Sequence, residues 1–296
     1  TAPLMPLSAL LTLPALVRLG PPERPSAAET RLPVAIQLVA GAGLALGGVA
    51  TGSALYAIPM VVVGLAVAVP ALRRLLPAGT FRARPGVPAA IAGNGFLNMA
   101  FFSADAFIPY LLTTHRGYST FVAGMALTSA TLSWTAGSWL QERLDHRVSR
   151  AARAAVGGAL VMVGLAATSL ALIDGVPGAF VAVTWAVAGL GIGIAYPTFS
   201  LEMMAGTQAG REGETSSAMK LTETLAGAAG IGVAGGIVAA GEAGGWAAGA
   251  LAGVFVLAGG AGVMTMLKAT RISRHAAAFR AHEPGGGAPQ VVEAVP

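Results

Sequence analysis

The sequence predicts an all-α, polytopic membrane helix bundle. Three observations carry this expectation. The 296 residues have a mean hydropathy of +0.71 and only 10% are charged, against about 25% in an ordinary soluble domain. Several uncharged runs reach the roughly 20 residues that a helix needs to cross a hydrocarbon layer about 30 Å thick. These runs are apolar on every face, whereas membrane strands are about 10 residues long and alternate apolar with polar.

Nine spans are expected in order. Pro3 to Val17 is the first, and it opens inside an apolar run with no basic stretch before it, so Thr1 reads as the interior of a longer protein rather than a signal peptide. Arg31 to Arg73 encloses an uncharged stretch long enough for two helices, broken at "ATGS", Ala50 to Ser53. The fourth span lies between Pro88 and Thr114 and the fifth runs from Ser119 to Gln141. The sixth, Ala154 to Ile173, and the seventh, Gly178 to Leu201, flank the turn "DGVP". Ser216 to Ala240 and Ala243 to Leu267 are the last two, and the Gly- and Pro-rich tail after Arg274 reads as disordered.

Charge supports this count. Cytoplasmic loops of membrane proteins carry the excess Lys and Arg. Of the 18 basic residues, 16 fall in alternate loops or the tail, Arg116 alone falls on the other side, and Lys220 lies within the eighth span. The C-terminus is therefore expected in the cytoplasm. A net charge of +5 suggests no nucleic-acid partner here, because the basic residues are dispersed over separate loops instead of forming one stripe. Cysteine is absent, which excludes disulfides and thiolate chemistry.

The loop "SWLQERLDHRVSR", Ser138 to Arg150, resembles the cytoplasmic signature of the major facilitator superfamily, Gly-x-Leu-Ala-Asp-Arg-x-Gly-Arg-Arg. Leu140 matches the Leu, Glu142 the acid, Arg143 the first basic residue and Arg147 the last. Ser138 and Asp145 stand in place of glycines, and His146 in place of an Arg. The order of one helix, two extra helices and then six is similar to the 14-helix drug:proton antiporter branch of that superfamily, with its first five helices missing. "GYSTFVAGMALTSATLSW" and "GLGIGIAYPTFSLEM" look like bacterial members of the branch.

The resemblance implies four regions. Residues 1–19 would end an N-terminal half, 20–86 would hold two linker helices and basic loops, 87–274 would form a C-terminal six-helix transport half, and 275–296 the tail. It implies proton-coupled efflux of drug-like or amphipathic molecules by alternating access, in a bacterial inner membrane, with the N-terminal half helices as partners missing from this chain. The motif-like loop would tie helix ends together by charge. A proton-coupled importer of a small metabolite, or a membrane module that transports nothing, are the alternatives.

Asp105 is the sharpest residue. A charge near mid-membrane costs about 2.5–3.5 kcal/mol on insertion scales, so such groups face the bundle interior or a water-filled cavity. At about 100° per residue, Asn94, Asn98, Phe101 and Asp105 fall within a stripe about 60° wide. That face suits a cavity wall: the carboxylate takes a proton or a cationic substrate, and the ring holds an apolar body. The competing reading is that Asp105 sits in the outer third of the span and only reaches interfacial water.

Glu202, Lys220 and Glu223 form a second group, read either as a charged cytoplasmic gate or as static pairing, since Lys220 and Glu223 are i, i+3 neighbours. Thr128, Thr131 and Thr135 share a face of the fifth span, as cavity-lining groups or as threonines satisfied by their own backbone. Pro109 and Pro197 interrupt the first helices of two three-helix units, and such breaks occur near transporter sites. Gly189 with Gly193, and Gly232 with Gly236, are spaced for close helix contact. "GIGVAG", Gly230 to Gly235, spells a dinucleotide fingerprint, but it lies inside a span rather than between a strand and a helix. The four histidines lack metal-ligand spacing, no nucleophile has a partner base, and neither cofactor nor enzyme activity is expected. The expected partners are a small-molecule substrate, protons and the lipid bilayer.

Overall fold

The computed structural model describes residues 28–51 and 54–281. The expected first span and most of the tail lie outside these residues. The described chain is helical, with no strand among the described residues. Numbering the long helices in order gives α1 (Ala28–Ala50), α2 (Ala54–Leu75), α3 (Val87–Asp105), α4 (Thr120–Leu144), α5 (Arg150–Ser169), α6 (Gly178–Ala205), α7 (Glu212–Ala243) and α8 (Ala247–Ala281).

Seven of the eight are long and apolar enough to cross a membrane. Large aliphatic and aromatic side chains cover the outside, among them Val39, Leu55, Phe121 and Val256, each at least 70% exposed. In water so much contiguous apolar surface would drive association; against hydrocarbon it is ordinary exterior, and the chain has the character of an integral membrane protein. The exception is α4, the expected fifth span. It has the length, but Thr128, Ser129, Thr131, Ser133, Thr135 and Ser138 dilute its hydropathy. It packs along α6, and Ser129 Oγ donates across that contact to the Ala182 carbonyl at 2.6 Å.

Two helix ends run past the apolar runs that predicted them. α7 begins in the charged segment at Glu212, where Glu212 and Glu214 occupy the first turn, the favourable end for acids. α8 continues to Ala281, so the first residues of the expected disordered tail are helical.

The helices pack in a regular exchange pattern. α1 and α2 form a hairpin that leans on α7. In the remaining six, α3 packs against α7 and α8, while α6 packs against α4 and α5. The first helix of each three-helix unit thus lies on the second and third helices of the other. Exchanging α3, α4, α5 with α6, α7, α8 preserves these contacts, and α3 and α6 start from opposite ends of the bundle. They are also its most buried spans.

Glycine permits the closest crossing. A Cβ on Gly189 would overlap the Ala130 carbonyl oxygen, one on Gly193 the Trp134 carbonyl oxygen, and one on Gly137 the Leu190 carbonyl oxygen. Gly232 and Gly236 instead face Leu46 and Val49 of α1, so "GIGVAG" is a packing surface inside α7.

The two ends differ in how they are tied. At the arginine-rich end, Arg271 donates to the carbonyls of Arg82 and Ala83 at 3.1 and 3.2 Å, holding the 3-10 turn Thr80–Arg82 against α8. At the other end, Arg116 donates to the carbonyls of Ile173 and Val176 at 2.7 and 2.8 Å and pairs with Asp174. Arg116 thus clamps one connecting loop to the next.

Candidate functional site: two carboxylates joined by aromatic rings

Asp105 closes α3 because of Pro109. Proline four residues on has no N–H for the Asp105 carbonyl. The helix stops at Asp105, restarts over Ile108–Tyr110 and finishes in a π-helical turn, Leu111–His115. Pro197, by contrast, is carried inside an unbroken α6. The Asp105 side chain is half-buried, and the fully buried Trp185 of α6 donates its indole N–H to Oδ1 at 2.8 Å.

The predicted stripe on α3 exists, but protein fills the space in front of it. Asn94, Asn98 and Phe101 are all buried, because α3 is wrapped by α6, α7 and α8. Asn98 Nδ2 donates to the Asn94 carbonyl at 2.8 Å. Asn94 Nδ2 and Asn98 Oδ1 find no partner, leaving one buried donor and one buried acceptor side by side on this face. Such groups are uncommon in a protein interior, since each costs about 1–3 kcal/mol.

From Asp105 the rings run without a break. Trp185 stacks on Phe101, centroids 5.0 Å apart at 19°. Phe101 meets Trp134 of α4 edge to face at 5.7 Å, with Phe102 beside both. Trp134 meets Tyr196 of α6 at 6.0 Å. Tyr196 donates its hydroxyl to Glu223 Oε2 of α7 at 3.0 Å, and Lys220 Nζ reaches Glu223 Oε1 at 2.9 Å.

The expected group of three charges therefore divides. Lys220 and Glu223 pair as their spacing implies, with Lys220 well exposed and Glu223 largely covered. Glu202 does not join them. It lies in the last turns of α6 beside the start of α5, and Arg150 Nη1 is 3.4 Å from its Oε2.

The threonine face of α4 is exposed. Thr128, Thr131 and Thr135 donate to the carbonyls of Gly124, Leu127 and Thr131, so each is satisfied within its own helix.

In the motif-like loop, Glu142, Arg143 and Arg147 form no ion pair among the described residues; Arg143 sits over the Trp139 ring at 3.6 Å. The charge coupling expected of this loop belongs to Asp145 instead. The buried Arg153 of α5 donates to Asp145 Oδ1 and to the Gln141 carbonyl, tying α4 to α5. That guanidinium holds the Asp145 carboxyl below the usual carboxylate range. Asp145, which stands where the pattern that the loop resembles has a glycine, makes that tie.

Sequence reading does not single out Trp185, Tyr196 or Arg153, and it marks Asp145 only as a departure from the resembled pattern. One signal was present: Trp185 and Tyr196 are eleven residues apart on α6, the spacing of Asn94 and Asp105 on α3, and about 20° apart around a helix. Trp185 meets the α3 stripe at Asp105 and Phe101, while Tyr196 meets Trp134 of α4 and Glu223 of α7. No group of three or more His, Cys, Asp or Glu suited to a metal occurs among the described residues.

No family model and no curated protein matches this chain. The chemical reading rests on the geometry. Two carboxylates in different helices, one bonded to an indole N–H and one to a phenol, can each exchange a proton. The rings between them are packed on one another, with Phe101 and Trp185 buried.

Proposed function

We propose that this chain is the C-terminal portion of a proton-coupled transporter of the major facilitator type, exporting drug-like or amphipathic molecules from a bacterial cell. Its arginine-rich end and C-terminus face the cytoplasm. The observation that carries this reading is the ring run from Asp105 to Glu223, which draws on α3, α4, α6 and α7. The exchange of contacts between the two three-helix units supports it, since inverted repeats with sites near the midplane are the architecture of secondary transporters.

The proposed cycle couples Asp105 to the packing of α3 on α6. As a carboxylate, Asp105 accepts from Trp185 and holds it stacked on Phe101. Protonation weakens that charge-assisted bond, frees the indole to move, and changes the ring surface offered to an apolar cation. Lys220 and Glu223 act at the other end as the charged gate, Tyr196 linking the gate to the rings.

The test is efflux of a fluorescent lipophilic cation from cells producing the protein, with and without a proton uncoupler. Uncoupler-sensitive efflux that disappears in Asp105→Asn, at unchanged membrane level, is expected. Efflux that persists in that variant would remove Asp105 as the proton carrier, and efflux indifferent to the uncoupler would remove proton coupling.

A further inference from the structure

A second, separate compartment lies between the α1–α2 hairpin and the rest of the bundle. Its upper part is a cavity of about 270 Å³ walled by Leu38, Leu46, Leu65, Val69 and Ala229, with Thr222 its only polar side chain. Its lower part, about 230 Å³, is walled by Phe81, Phe96, Met99 and Lys268. Leu72, Leu76, Thr222 and Ala226 line both parts, so the two adjoin along the same seam of the fold. Leu65 and Phe81 line it and are each about half exposed, so it opens sideways onto the apolar exterior.

The cleft has a length and a polarity. From Leu65 to Leu75 the helix rises about 15 Å, about half of a ~30 Å hydrocarbon core, which is the depth of one leaflet. Both lining hydroxyls are already committed, Thr222 to the Ala218 carbonyl and Thr80 to the Pro77 carbonyl. Lys268 is then the charged group of the wall, and it has no acidic partner among the described residues. Residues 38–99, which carry most of the lining, contain no Asp or Glu. The nearest acid in sequence on α7, Glu223, is taken by Lys220 and Tyr196. Around the mouth stand further cations: Arg73 lies over the Phe81 ring at 5.5 Å, and Arg271 binds the turn carrying Arg82.

We propose that this cleft is a binding site for an anionic glycerophospholipid of the leaflet at the arginine-rich end, one acyl chain lying along Leu65, Val69 and Leu72 and the phosphate meeting Lys268. The chemistry of the wall favours this occupant. An apolar trough of one-leaflet depth takes a chain, and an unpaired ammonium at its base takes a negative headgroup in preference to a zwitterionic one. A bound lipid would also stiffen the seam between the hairpin and α7, where the protein's own side chains leave space.

The full chain, purified in mild detergent and reconstituted in nanodiscs of phosphatidylglycerol and phosphatidylethanolamine, provides the test, with retained lipid counted by native mass spectrometry. Wild type is expected to retain phosphatidylglycerol preferentially. Lys268→Gln should lower that retention about fivefold, the factor for one basic residue against an anionic surface, with phosphatidylethanolamine unaffected, and Lys268→Arg should restore it. Ala226→Trp, which fills the cleft, should release both lipids. Equal retention of the two lipids by wild type, or an unchanged preference in Lys268→Gln, overturns the proposal. So does an Ala226→Trp variant that keeps its lipid but separates copies of the chain on size exclusion, because the cleft would then hold a second copy.

Discussion

Trp185 donates its indole N–H to Asp105 at 2.8 Å while its ring lies flat against Phe101. One side chain thus joins a carboxylate on α3 to the packing of α6. A hydrogen bond to a charged acceptor contributes about 1.5–3 kcal/mol. Trp185→Phe, which keeps a ring and removes the donor, is expected to destabilise the protein by that order. In Asp105→Asn the same substitution should cost less, since the acceptor is already neutral. The double-mutant cycle, read by thermal unfolding in detergent, checks this: additive effects would mean that the charge of Asp105 adds nothing to the bond.

Glu223 serves two donors, and this makes a charge exchange asymmetric. Lys220 is mostly exposed, so its pair with Glu223 contributes at most about 1 kcal/mol, and Lys220→Met should leave stability nearly unchanged. The exchange of Lys220→Glu with Glu223→Lys keeps the ion pair but presents Tyr196 with an ammonium, which cannot accept its hydroxyl. Transport is expected to fall in the exchanged protein and not in Lys220→Met. Equal activity in both would remove Tyr196 from the coupling.

Asp145 gives a pH dependence outside the spans. Arg153 lowers its folded pKa relative to the unfolded chain, so the unfolded state binds the proton more readily. The resulting stabilisation is present above the unfolded value of about 4 and is lost as pH falls through the lowered folded value. The melting temperature of wild type should therefore drop more steeply below about pH 4 than that of Asp145→Asn. Parallel curves would show that the pair adds nothing to stability.

The α4–α6 crossing separates two kinds of glycine. Gly193→Val places a branched side chain against the Trp134 carbonyl, where even a Cβ has no room, and overpacking of this kind costs about 1–3 kcal/mol or more. Gly124 lies on the same α4 with nothing near its Cβ position. Gly124→Ala is expected to raise stability by about 0.5–1 kcal/mol through helix propensity. A melting temperature that falls in both variants would indicate that α4 is constrained on its outer face as well.

Helix positions were largely legible in the sequence, because a membrane-length apolar run is a one-dimensional signal: crossing hydrocarbon requires consecutive residues that satisfy their own backbone. The break at Ala50 to Ser53, the turn at Asp174 to Pro177 and five of the six helices after Arg84 follow from that alone. The ends were less legible. α7 starts among charges at Glu212 and α8 continues past Arg274, since a helix outside hydrocarbon needs no apolar run.

The candidate site was legible only by halves. A single helix's periodicity put Asn94, Asn98, Phe101 and Asp105 on one face, and i, i+3 spacing paired Lys220 with Glu223. That these two halves meet through Trp185, Trp134 and Tyr196 depends on α4 and α6 crossing at Gly137, Gly189 and Gly193. Likewise only packing decided that Glu202 turns to Arg150, and that Arg153 takes Asp145. Sequence by itself determined which stretches can live in hydrocarbon and which faces carry polar groups. Tertiary structure decided which faces meet, because the hydrogen bonds Trp185–Asp105 and Tyr196–Glu223 join residues 80 and 27 positions apart across helices whose pairing no local pattern encodes.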